Sequence, residues 1–99
     1  MNNWTIGNMF VVEICLTSPT DFNSKFVRNF TQHITTLKSD LYISNIDKHV
    51  NAKSILGLLS ADIKKDEIIK IQIMNRFGYN QAEIDLNYVI DLFDDTKTF

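Results

Sequence analysis

The sequence predicts an α+β fold, with helices packed on one face of an open antiparallel sheet. Three observations carry that prediction. Met9–Leu16 and Ile69–Ile73 alternate apolar with other residues, the period of a half-buried strand. Phe22, Phe26, Phe30 and Ile34 recur every four residues, the period of one helix face. Strand-like and helix-like segments follow in the order β-α-β-β-α-β-α, which gives four strands and three helices.

Ninety-nine residues make one domain with a single modest core. Apolar residues are 44% and charged residues 22% of the chain, which excludes a disordered composition. The formal charge of −2 provides no basic footprint, so nucleic acid is not an expected direct partner. Lys64-Lys65 is followed at once by Asp66-Glu67 and reads as a solvated turn.

Taken in order, Met9–Leu16 places Phe10, Val12, Ile14 and Leu16 on one face. Thr17-Ser18-Pro19-Thr20-Asp21 breaks the strand and offers caps for a helix. That helix carries the aromatic stripe, with Val27 beside it and Leu37 near its end, before Ser39-Asp40 stops it. Leu41–Ile46 is strand-like, and Asn45–Lys48 forms a tight connection to a short strand at His49–Asn51. A short apolar helix over Lys53–Ser60 begins near Ser54, and a polar turn over Asp62–Asp66 precedes the strand with Ile69, Ile71 and Ile73. Gly78-Tyr79-Asn80 opens the last helix, in which Asn80 and Glu83 have capping-box spacing. Its inner face is Ala82, Leu86, Val89, Ile90 and Phe93, and a frayed tail follows from Asp94 to Phe99.

Cys15 is the only cysteine, which rules out an internal disulfide and points to a reducing compartment. Inside its apolar run it reads as a packed thiol. No run reaches the roughly 18 apolar residues of a membrane span, and the start lacks a signal-peptide pattern, so the expected location is cytoplasmic. His33 and His49 lack metal-ligand spacing and read as surface or structural residues; no metal or cofactor is expected.

The run Val50-Asn51-Ala52-Lys53-Ser54-Ile55-Leu56-Gly57-Leu58-Leu59-Ser60 resembles the regulatory-serine segment of HPr, the histidine-containing phosphocarrier of the bacterial sugar phosphotransferase system. Its Val-Asn-Ala-Lys-Ser form is similar to the catabolite-repression HPr-like branch, Crh. The β-α-β-β-α-β-α order matches that family's open-faced sandwich. The resemblance implies an HPr-like domain over residues 9–95, an N-terminal extension over 1–8 and a tail over 96–99. Trp4 in the extension is a candidate for pairing with a sheet edge or for a dimer contact.

Counting back without gaps from Ser54, the positions of the family's histidine, arginine and proline hold Asn23, Lys25 and Phe26. The resemblance therefore implies a degenerate phosphoacceptor position at Asn23. An amide nitrogen, its lone pair delocalised into the carbonyl, cannot replace imidazole as a phosphoryl acceptor. The helix start could still attract an anion, with Lys25 as a point charge lacking arginine's bidentate fork. A non-catalytic regulator is thus expected, not an enzyme or a phosphohistidine carrier.

Ser54 reads two ways. Its hydroxyl can cap the short helix, and the resemblance makes it a regulatory phosphorylation site. By the same resemblance Ile55, Leu56 and Leu59 form an apolar binding patch, with Lys25 part of the recognition surface. The implied partners are a serine kinase/phosphorylase of the HPr type and a LacI-type catabolite regulator. The alternative is a diverged interaction module in which Ser54 serves only as a cap.

Overall fold

The computed structural model describes residues 2–95. The elements are β1 (Asn2–Ile6), β2 (Met9–Thr17), α1 (Ser24–Ile34), β3 (Asp40–Ser44), β4 (His49–Asn51), α2 (Ile55–Ala61), β5 (Ile68–Asn75) and α3 (Tyr79–Asp94). All strand pairings are antiparallel, in the order β1-β2-β5-β3-β4. The α+β class and one-sided helical layer stand as expected, but the sheet has five strands, not four. The N-terminal extension supplies the fifth. Gly7 at φ 58 opens a two-residue turn with Asn8, and Asn2–Ile6 pair in full register with Met9–Glu13.

One consequence is burial on the sheet's open face. Val11 pairs with Trp4 on one side and Met74 on the other, and it is fully buried although it faces away from the helices. Val12 on the opposite face joins the main core, with Ile14 and Leu16 packed against it. Strand alternation alone would have left Val11 in water. Cys15 falls on that same open face and is exposed, which corrects its reading as a packed thiol.

The core lies between the sheet and the three helices. It takes Leu41 and Ile43 from β3, Ile69, Ile71 and Ile73 from β5, and Phe26, Val27, Phe30 and Ile34 from α1. From α2 come Leu58 and Ala61; from α3 come Ala82, Leu86, Val89, Leu92 and Phe93. The phenylalanine stripe behaves as its spacing predicts, and Phe93 of α3 closes it. Phe30 lies 5.4 Å from Phe26 and 5.2 Å from Phe93, ring centre to ring centre, in stacked geometry. Phe22 precedes the helix yet remains in the cluster, 4.8 Å from Phe26.

Element ends differ from the sequence reading in three places. First, α1 starts after Asn23 and stops at Ile34, short of Leu37. Second, β3 runs from Asp40 to Ser44, which leaves Ile46 in the turn and almost wholly exposed. That turn is closed by Asn45, whose Oδ1 accepts from the N–H groups of Asp47 and Lys48. Third, α3 has no side-chain cap: its cap residue is Gly78 at φ 132, so the Asn80–Glu83 capping box does not form. Asn75 takes over part of that work from β5, its Oδ1 accepting from Phe77 and Gly78 at 2.9 Å each. The expected tail residues 96–99 lie outside the described residues; Asp94 itself closes α3.

Candidate functional site

The Ser54 segment is built by a succession of local bonds. Asn51 Oδ1 accepts from the Lys53 N–H at 2.9 Å, turning the chain out of β4. Ala52 is fully buried and donates its N–H to the Leu41 carbonyl at 2.8 Å. The Lys53 ammonium reaches the Leu37 carbonyl at 2.7 Å, tying this turn to the segment after α1. Ser54 then caps α2, its Oγ accepting from the Gly57 N–H at 3.0 Å. A Cβ on Gly57 would stand 3.2 Å from that Oγ, so the glycine leaves room for the cap. Ser54→Ala is expected to lower stability by about 1 kcal/mol, measurable by urea unfolding.

The α2 side chains divide between core and solvent. Leu58 is buried and Leu59 packs partly onto the core, whereas Leu56 is 80% exposed and Ile55 42% exposed. The two outward residues directly follow the capped serine. The core cluster uses neither Ile55 nor Leu56.

Asn23 and Lys25 lie at the start of α1. Phe22 donates its N–H to the Ile63 carbonyl at 2.8 Å, and Asp21 Oδ1 accepts from the Lys65 N–H at 2.8 Å, so the start of α1 adjoins the chain just beyond α2. Ser54 stands at the other end of α2, which rises roughly 10 Å over its seven residues. No hydrogen bond or ion pair joins Lys25 to Ser54 among the described residues. Asn23 is the N-cap of α1: its Oδ1 accepts from the Phe26 N–H at 2.9 Å. That amide satisfies a backbone donor that an incoming anion would otherwise use. Asn23→Ala is expected to lower stability by about 1 kcal/mol, while Asn23→Asp should preserve the cap.

Neither histidine lies at a helix start. His33 lies in the last turn of α1, with Nδ1 2.7 Å from the Asn29 carbonyl. His49 is in β4, stacked on Tyr42 and 2.7 Å from the Ser44 hydroxyl. No group of three metal-ligating side chains occurs among the described residues, and no helix is long and apolar enough to cross a membrane. In the turn after α2, the Asp62 carboxylate lies 3.0 Å from the Lys64 ammonium and raises its pKa through that bond and the opposite charge.

Residues 12–77, two thirds of the chain, match the family model described as the PTS HPr component phosphorylation site. The chain belongs to the HPr family. The phosphocarrier protein HPr from Bacillus anthracis str. Ames is 25% identical, with a TM-score of 0.71 over 84% of this chain and 96% of that one. Crh from Bacillus subtilis, a catabolite-repression protein described as a swapped, intertwined dimer, is also 25% identical, with a TM-score of 0.56 over 82% and 91%. The Mycoplasma histidine-containing phosphocarrier, at 20% identity and a TM-score of 0.71, shares the fold. No curated protein matches the sequence. This HPr-family chain thus differs from a plain four-stranded arrangement by its β1–β2 hairpin.

Three features were not read from the sequence as parts of any site. They are the cover that Trp4 gives Val11, the buried bonds joining Asn75, Ser39 and Asp85, and a cleft between the start of β3 and the end of β5. Gly7-Asn8 between two apolar runs was a hairpin signal for the first. The other two depend on segments 36 or more residues apart and left no local signal.

Proposed function

We propose that this HPr-family protein is a non-catalytic regulator of the carbon-catabolite-repression type, related to the Crh branch, acting through Ser54 and the apolar surface beside it. The observation that carries this reading is the division of labour between the two helix starts. Asn23 occupies the place where the resemblance puts the phosphoacceptor, and its amide is committed to capping α1. Ser54 keeps a hydroxyl beside two outward apolar side chains. In the proposed modification, the Ser54 oxygen attacks the γ-phosphorus of ATP, losing its proton as ADP departs. The product adds about −1.5 to −2 charges next to Ile55 and Leu56.

The partners in this reading are a serine kinase/phosphorylase of the HPr type and a LacI-type regulator that distinguishes the phosphorylated form, all in the cytoplasm. Ile55 and Leu56 supply the main apolar contact, Leu59 its inner edge, and Lys25 a separate positive charge beyond the far end of α2. A second reading treats Ser54 only as a cap. It is favoured by the completeness with which Asn51, Ala52, Lys53 and Gly57 are accounted for by local bonding.

Capture of the LacI-type regulator by Ser54→Asp but not by Ser54→Ala supports the regulator, and equal capture supports the cap. Phosphoenolpyruvate and the phosphotransferase enzyme I should leave this chain unlabelled, while labelling an authentic HPr in the same tube. Stable label on this chain would contradict the absence of carrier chemistry.

A further inference from the structure

We propose that the cleft between the start of β3 and the end of β5 binds a peptide segment carrying an aromatic or long aliphatic side chain flanked by carboxylates. The cleft has a volume of about 330 Å³ and is lined by Met9, Lys38, Asp40, Met74, Arg76 and Phe77, with Asn75 at its base. It shares no residue with the Ser54 surface.

Two properties set its chemistry. Met9, Met74 and the 69% exposed ring of Phe77 form an adaptable apolar wall, suited to an aromatic or aliphatic side chain. Lys38 and Arg76 stand on its rim, and neither side chain makes an ion pair or hydrogen bond among the described residues. Two uncommitted cations against the single carboxylate of Asp40 leave the cleft positive on a chain of net charge −2. The occupant is therefore anionic on both sides of its apolar group, an arrangement that an extended peptide with flanking carboxylates supplies, and the Asp40 carboxylate offers an acceptor for one of its backbone N–H groups. The volume is near the lower end of the roughly 300–1,000 Å³ range of ligand pockets, which fits one side chain with its neighbours.

The rims are held by buried bonds. Asn75 Nδ2 donates to Ser39 Oγ at 2.8 Å, between the β5 strand that leads to Arg76 and the segment that carries Lys38 and Asp40. Ser39 also donates its N–H to Asp85 of α3 at 3.2 Å, and Asn75 fixes the Phe77 and Gly78 amides. Preorganisation of this kind lowers the ordering cost of binding.

The test is a titration of the ¹⁵N-labelled full chain with acetyl-Glu-Phe-Glu-amide at low salt. Saturable shifts are expected at the amides of Met9, Asp40, Met74, Arg76 and Phe77. Affinity should fall about tenfold or more in the Lys38→Ala/Arg76→Ala double variant, because two charge-assisted contacts are lost. Phe77→Ala, at an exposed position, provides an independent loss of binding should the double variant fail to fold. The proposal is overturned by absent saturation at millimolar peptide or by equal binding of acetyl-Lys-Phe-Lys-amide. Shifts confined to the Ile55–Leu56 surface would also overturn it. Equal affinity for acetyl-glutamate would make this a site for small anions instead, and shifts that depend on protein concentration without peptide would assign it to a second copy.

Discussion

Phe30→Ala is expected to remove about 3–5 kcal/mol of stability, the range for truncating a fully buried phenylalanine. Phe30 has no exposed surface and stacks on both Phe26 and Phe93, so it joins α1 to α3 through one ring. The surrounding cluster is rigid on several sides, with sheet residues below, and it has little freedom to collapse into the space left. A domain of this size has a total stability of roughly 5–15 kcal/mol, so the variant would lose a large share of it. Urea unfolding followed by circular dichroism measures the change. Phe77→Ala is the control: its ring is largely in solvent, and the shift should stay within about 0.5 kcal/mol. Comparable losses in the two variants would mean that the phenylalanine stripe is not the core.

The second large effect is expected at Asn75. Its carboxamide accepts from Phe77 and Gly78 and donates to Ser39, and both Asn75 and Ser39 are buried. Asn75→Ala leaves two backbone donors and a buried hydroxyl without that partner, a loss on the order of 2–4 kcal/mol. Asn75→Asp retains an acceptor for the two amides and should lose less. Hydrogen exchange offers the sharper readout. The Phe77 and Gly78 amides should lose protection in Asn75→Ala while those of β2 keep theirs. Unchanged exchange at those two amides would contradict the role given to Asn75.

The contrast between these two residues explains what could be read in the sequence. Phe30 belongs to a four-residue repeat, and an apolar face of that period has one physical interpretation. The same holds for Ile69, Ile71 and Ile73, whose alternation declares a strand with one face inward. Asn75 shows nothing comparable: its partners lie 36 residues away at Ser39 and in the turn ahead, and a carboxamide near a strand end reads as an ordinary turn residue. The burial of Val11 was not legible for a related reason. Alternation assigned it to the open face, and burial there comes from Trp4 in a strand that the extension adds. Cys15 was misread in the other direction, because an apolar run suggested burial on both faces while β1 does not extend far enough to cover it.

At the candidate site, Ser54 was legible because its cap needs only a hydroxyl three residues before a helical N–H. The outward aim of Leu56 follows from helix geometry once Leu58 and Ala61 are set against the core, while Ile55, three residues before Leu58, lies at the edge of that face and is 42% exposed. Lys25 was grouped with them by resemblance alone, and the fold stations it beyond the far end of α2. Asn23 caps α1, a task for which asparagine is among the best residue types.

The central claim is that Ser54, not a histidine, is where this protein receives its signal. Intact-mass and peptide mapping after incubation with the HPr-type serine kinase and ATP tests it most directly. One phosphate on Ser54, absent from Ser54→Ala and accompanied by altered binding of the LacI-type regulator, is the predicted result. No phosphate on Ser54, or a phosphate that leaves that binding unchanged, would contradict it.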